Sequence, residues 1–244
     1  MKLLKVLLSL TLCLSVITIN SSHIKAEQLP EAYNIKDDED GLLGTYLKTH
    51  YANMSWSFSL SYAMDINIRK KNLAELNNNG LSPQHLTYYS QRFVSDPLGG
   101  TADDSRTRCL YGMQNLETNL EQVMSALMTW SAGPTHQNEM TYIDDRDNSI
   151  EDSYGKRIVT PYQAITFDSE DIKDIQEFIY KNGAVVTEFN YSSAGMDSYN
   201  SEYEAQYRNE YETPDQVITI IGWDDNFSKE KFNEAMQPEK DGAW

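Results

Sequence analysis

The run Val-Ile-Thr-Ile-Ile-Gly-Trp at residues 217–223 is the feature that most constrains the fold of this chain. It is apolar almost throughout and rich in β-branched residues, which favours a strand. A strand that is apolar on both faces needs cover on both of them, so we expect a buried strand rather than an exposed edge. Residues 184–189 predict a second strand.

The predicted helices lie mainly before these strands. Residues 55–71 predict a helix, because Trp56, Leu60, Ala63, Met64 and Asn67 fall on one stripe that is mainly apolar. Residues 116–130 predict another amphipathic helix. Ser82 is a suitable N-cap and Pro83 suits a first helical position, so a helix is expected to begin there. Helices followed by strands indicate an α+β protein.

Two further segments have a helical period. A helix is predicted to begin at Ser169 and to end at Gly183, because glycine is common just beyond a helix C-terminus. Its expected apolar face comprises Ile172, Ile175, Phe178 and Ile179. Four tyrosines also recur every four residues, namely Tyr199, Tyr203, Tyr207 and Tyr211. This spacing fits either a helix or a tyrosine-rich loop.

Residues 1–26 have the organisation of a signal peptide. A basic start is followed by an apolar run at residues 6–19, which is too short to span a bilayer comfortably, and Ala26 is a small residue suited to a cleavage site. We therefore expect a secreted, extracellular or cell-surface protein without a stable membrane span after cleavage. Only Cys109 then remains, so no internal disulfide is expected.

The charge of the chain limits its partners. It has 37 Asp and Glu against 20 Lys and Arg, a formal net charge of −17, which argues against a nucleic-acid partner. The acidic segments that begin at Asp145 and Asp224 resemble calcium loops only at their starts, because each lacks the later glycine and glutamate. We therefore expect neither a metal nor another cofactor.

Four segments, in order along the chain, carry a resemblance to papain-family cysteine peptidases. Residues 29–37, Leu-Pro-Glu-Ala-Tyr-Asn-Ile-Lys-Asp, resemble the mature start of that family. Residues 52–59, Ala-Asn-Met-Ser-Trp-Ser-Phe-Ser, resemble its Gly-x-Cys-Trp-Ala-Phe-Ser motif. Residues 81–86, Leu-Ser-Pro-Gln-His-Leu, are similar to its Leu-Ser-Glu-Gln-x-Leu. Residues 214–225 resemble its Asn-His-Ala-Val-x-Ile-Val-Gly-Trp-Asp-Asp.

The resemblance extends over nearly all of residues 29–244. The bacterial secreted branch of the family is the most similar, judged by residues 96–100, Asp-Pro-Leu-Gly-Gly, and residues 130–134. It implies a papain-like fold with a helical half at residues 27–160 and a β-rich half at residues 161–244. Because family members continue past a Gly-Ala-Trp motif, here at residues 242–244, it also implies that the β-rich half is truncated at the C-terminus.

At its catalytic positions the chain departs from the family. The nucleophile position falls on Ser55, the general-base position on Gln216 and the oxyanion position on Thr49, while the orienting asparagine would follow Trp244. A serine hydroxyl ionises far less readily than a thiol, and an amide cannot accept a proton at neutral pH. The resemblance also implies that substrate would contact Tyr111, Gly112 and Trp56.

These residues predict a secreted papain-like homologue without catalytic activity that binds peptides or proteins in the former substrate cleft. One alternative is a decayed or truncated gene product without function. Another is an active peptidase that uses Ser55 as its nucleophile, with His50 as the base. The sequence leaves the oligomeric state open.

Overall fold

The computed structural model describes residues 28–38, 55–90, 123–124, 127, 133–136, 156–161, 163–191, 198–208 and 214–244. Contacts divide the chain into two units, Met1–Pro30 and Glu31–Trp244, and the elements described below lie in the second unit. These elements are helices and antiparallel strands, which confirms the α+β class. The predicted boundary between residues 160 and 161 falls inside that unit and stays a prediction.

The first two helices begin close to their predicted positions. Helix α1 is Ser55–Lys70 and helix α2 is Pro83–Ser90. Ser82 caps α2, because its Oγ accepts a hydrogen bond from the backbone N–H of His85 at 3.0 Å. Among residues 116–130, positions 123, 124 and 127 are described, and all three are helical.

Helix α3, Ile172–Asn182, begins three residues later than predicted, so the expected start at Ser169 is wrong. A turn precedes the helix. In this turn the Asp168 carboxylate accepts a hydrogen bond from the N–H of Glu170 at 3.1 Å. The predicted end is confirmed, since Gly183 has φ +129° and donates its N–H to the carbonyl of Ile179. Ile179 is fully buried, but Ile172 is 49% exposed and does not belong to the core.

In the described part of the chain, six short strands form three antiparallel pairs. The strands are β1 Ala32–Asn34, β2 Val185–Phe189, β3 Tyr199–Asn200, β4 Ala205–Gln206, β5 Gln216–Ile220 and β6 Gly222–Asp224. Strand β1 pairs with β6, β2 with β5, and β3 with β4. The predicted strand at residues 184–189 is therefore confirmed as β2.

The apolar run at residues 217–223 does not form one buried strand. It divides at Ile221 into β5 and β6, which belong to different pairs. The division follows from the close approach of β1, since a Cβ at Gly222 would lie 2.2 Å from the carbonyl oxygen of Tyr33. Four of the five residues of β5 are half-buried, and the fifth, Ile218, is 37% exposed. The expectation of cover on both faces is therefore wrong for β5.

The tyrosine repeat is not helical over its described part. Residues 199–206 form the β3–β4 hairpin. Tyr203 lies in its turn at residues 201–204, and this residue is 45% exposed. Tyr207 packs edge-on against Phe232 with the ring centroids 6.1 Å apart. Tyr211 lies outside the described residues.

A hydrophobic core cluster packs around the start of α1. A cluster of buried residues comprises Trp56, Leu86, Val123 and Leu127, and the half-buried residues packed against it are Leu60, Met64 and Val217. Val217 brings β5 into this core from the opposite part of the sequence. Within the described ranges, every helix is too short or too polar to cross a membrane.

Candidate functional site

The N-terminus of α1 faces the start of β5. The Oγ atom of Ser55 accepts a hydrogen bond from the backbone N–H of Val217 at 3.1 Å, although the two residues are 162 positions apart. Gln216 immediately precedes Val217 and is the first residue of β5. The structure therefore brings the predicted nucleophile and general-base positions to the same place.

A second serine completes this contact. The hydroxyl of Ser59 donates to the carbonyl oxygen of Val217 at 2.6 Å. Ser55 and Ser59 are four residues apart and so lie on one face of α1. Both backbone polar groups of Val217 are thus bound by serine hydroxyls, and we term Ser55, Ser59 and Val217 the serine clamp. Thr219 extends it by donating its hydroxyl to the carbonyl of Ser59 at 3.0 Å.

The serine clamp is poorly suited to nucleophilic catalysis. Attack by a serine hydroxyl requires a neighbouring base that removes its proton. Gln216, the first residue of β5, is at the general-base position and carries a neutral amide. The Ser55 oxygen also uses a lone pair to accept the Val217 N–H. These groups form a structural contact between helix and strand.

The described histidines have structural partners in the helical half. His85 is 1% exposed, and its Nε2 lies 3.0 Å from the carbonyl oxygen of Gly133. Since a carbonyl only accepts, Nε2 carries the proton. Burial lowers the pKa of His85 to about 4, which keeps the ring neutral at pH 7. His136 forms an antiparallel bridge with Leu81.

The remaining predicted site residues differ in their placement. Trp56 is 3% exposed and packs in the core cluster, so the structure gives its indole a packing role and leaves little of it for a substrate. Thr49, Tyr111 and Gly112 lie outside the described residues, as do His50 and Cys109, and their roles stay predictions. Within the described ranges, no group of three or more His, Cys, Asp or Glu side chains could hold a metal ion.

Asn67 joins α1 to β2 farther along the helix, and sequence reasoning missed this role. Its Nδ2 donates to the carbonyl of Ala184 at 3.1 Å, and its Oδ1 accepts the N–H of Ala184 at 2.5 Å. A Cβ at Gly183 would lie 2.2 Å from that Oδ1, so the contact depends on glycine there. Ser59 was also missed, although its spacing from Ser55 places both on one helical face.

A cavity of about 1810 Å³ begins beside the serine clamp. It reaches Phe189, which is the cross-strand partner of Gln216. The residues from β2 and β5 that line it include Val185, Thr187, Phe189, Ile218 and Ile220. Ser55, Gln216 and Trp56 do not line it. Ser55 and Gln216 therefore lie beside the cavity and not among the residues that line it.

The chain has the fold of papain-like cysteine proteases. The chain superposes with a TM-score of 0.61 and 22% identity on the clostridial cysteine protease Cwp84 after propeptide cleavage, over 87% of this chain and 48% of that one. It matches the cysteine protease and lectin-like domains of Cwp84, a surface-layer-associated protein of Clostridium difficile, with a TM-score of 0.58 and 22% identity. That match covers 88% of this chain and 43% of the other.

The chain thus spans about half the length of these solved structures. No protein-family model and no curated protein matches it. The likeness confirms the papain-like fold that the sequence predicted.

If the serine clamp stabilises the fold, removing either hydroxyl should weaken it. Ser55→Ala and Ser59→Ala should each lower the free energy of unfolding by about 1 kcal/mol, because each leaves a backbone group of Val217 without its partner. Ser55→Cys should have a similar effect, since sulfur is a weak acceptor. Urea unfolding measures all three, and Ser169→Ala, at an exposed serine, is the matched control. Unchanged stability in both alanine variants would show that the clamp contributes nothing.

The buried His85 should make stability depend on pH. Its folded pKa of about 4 lies below the ordinary histidine pKa of 6.5, so its contribution to stability is complete above pH 6.5 and is lost as the pH falls towards 4. The loss should reach roughly 3 kcal/mol by pH 4 relative to His85→Gln, whose amide can still donate to Gly133. Parallel unfolding profiles of the two proteins between pH 7 and pH 4 would contradict this expectation.

Proposed function

We propose that this protein is a secreted or cell-surface papain-like protein that lacks peptidase activity and binds peptides or proteins. The observation that carries the proposal is the hydrogen bond between Ser55 and the backbone of Val217. It makes the nucleophile position part of a structural contact, with an amide at the general-base position.

The absence of peptidase activity is supported by the chemistry of the paired positions. A papain-like mechanism needs a thiolate and a histidine that exchange one proton. The Ser55 hydroxyl cannot exchange a proton with Gln216 in this way, because an amide neither accepts nor returns a proton at neutral pH. Among the described histidines, the His85 ring bonds to the carbonyl of Gly133, and the backbone of His136 forms a bridge with Leu81.

Peptide or protein binding is supported by the cavity along β2 and β5. Its volume of about 1810 Å³ exceeds the range of about 300–1,000 Å³ that suits small molecules. Ile218 is 37% exposed and lines it, as do half-buried apolar residues of both strands. An extended peptide could cover these side chains while its own backbone remains hydrogen-bonded at a strand edge.

An extracellular or surface location is supported by the N-terminal segment and by the structural likeness. Residues 1–26 have the organisation of a signal peptide. One of the similar solved structures is described as part of a surface-layer-associated protein. Detection of the protein in culture medium or on intact cells, but not in the cytosolic fraction, tests this location.

The wild-type protein should not cleave a broad library of fluorogenic peptides above the rate of buffer, whereas an active papain-like peptidase assayed beside it should. The double variant Ser55→Cys with Gln216→His should gain little activity, because Thr49 still occupies the oxyanion position. Cleavage by the wild type that Ser55→Ala abolishes would overturn the proposal of an inactive protein.

The cavity should bind extended peptides, and Ile218 should contribute to their binding. An immobilised decapeptide library in 0.15 M salt, which screens attraction to the acidic surface, is the probe. Ile218→Lys should weaken binding at least tenfold, since it places a charge on the apolar wall. Ile172→Lys, at an exposed isoleucine that does not line the cavity, is the matched control. Failure of the wild type to bind any member, or equal binding by Ile218→Lys, would contradict the cavity as the binding site.

A further inference from the structure

Three buried polar atoms in the helical half have no hydrogen-bond partner among the described residues. They are Ser61 Oγ, Asp65 Oδ2 and His136 Nδ1. Ser61 and Asp65 are each 1% exposed, so bulk solvent does not reach them. Because native proteins satisfy nearly all buried polar groups, several unpartnered atoms in one region indicate a bound polar ligand.

Contacts within the helical half bring these three residues together. Ser61 and Asp65 are four positions apart on α1 and therefore share one face of the helix. The backbone of Leu81 hydrogen-bonds to the Asp65 carboxylate, and Leu81 pairs with His136 in an antiparallel bridge. Ser61 is only two residues beyond Ser59, but residues two apart point about 200° apart around a helix, so the region lies on a different face of α1 from the serine clamp.

The charges in this region determine what it can bind. Asp65 uses its other carboxylate oxygen, Oδ1, to accept from Arg69 Nε at 2.5 Å. Burial raises the pKa of Asp65, while the hydrogen bond and charge of Arg69, the Leu81 backbone and the charge of His136 lower it. Arg69 thus already balances the carboxylate, and a second cation is not required.

A neutral ligand that both donates and accepts would satisfy all three atoms. The Asp65 carboxylate requires a donor, the Ser61 hydroxyl can donate or accept, and the His136 nitrogen donates in the charged ring and can donate or accept in the neutral ring. Water has this capacity, and buried waters typically make about three hydrogen bonds to such groups.

We propose that Ser61, Asp65 and His136 form a binding site for one internal water molecule, which joins α1 to the Leu81–His136 bridge. The site connects two segments that are 71 to 75 positions apart in the sequence through a ligand instead of through a direct side-chain contact.

The sign of the stability change in Ser61→Ala tests the proposal. With a bound water, the variant loses a hydrogen bond, and the equilibrium constant for folding should fall about fivefold in urea unfolding. Without a ligand, the variant removes an unsatisfied hydroxyl from the interior, and stability should stay the same or rise. The latter result would overturn the proposal, and Ser169→Ala serves as the exposed control.

Salt exchange separates water from a bound cation. The unfolding midpoint of the full chain should be equal in sodium, potassium and choline chloride at one ionic strength, because water occupies the site in each. A midpoint that is higher in sodium or potassium than in choline, and that loses this difference in Ser61→Ala, would replace the water with a monovalent cation and overturn the proposal.

Discussion

The contact between α1 and β5 at Val217 combines the two kinds of interaction on which the described fold depends. The side chain of Val217 packs against the core cluster around Trp56, and its backbone is bound by Ser55 and Ser59. A single strand residue is thereby fixed to the helix by both apolar packing and hydrogen bonds. Asn67 makes a similar contact from side chain to backbone farther along α1, where it binds both backbone polar groups of Ala184.

This contact shows how the papain-like fold is held together at the nucleophile position by groups other than a catalytic pair. The helix head must lie close to β5 whether or not a reaction occurs there, because the core cluster spans the two elements. A cysteine and a histidine at these positions would exchange a proton, whereas a serine hydroxyl and a backbone N–H only hold the elements together. Fold alone therefore does not establish activity, which depends on the groups at the site.

The features of the fold that local sequence determines were predicted well, and those that depend on distant contacts were not. The Ser82 cap, the end of α3 at Gly183 and strand β2 follow from neighbouring residues. The division of residues 217–223 depends on β1, nearly two hundred residues away, which no local pattern contains. At the site, the family resemblance located Ser55 and Gln216, but the partner of the Ser55 hydroxyl is a backbone N–H, which carries no residue-specific signal.

Amide hydrogen exchange at Val217 tests the central claim most directly, since it observes the N–H that Ser55 accepts. The account predicts a protected amide in the wild type and exchange at least about fivefold faster in Ser55→Ala, consistent with the loss of one hydrogen bond. The amide of Ile35, which donates to Ile221 at 3.0 Å, should change little and serves as the internal reference. An unprotected Val217 amide in the wild type, or equal exchange in both proteins, would contradict the account.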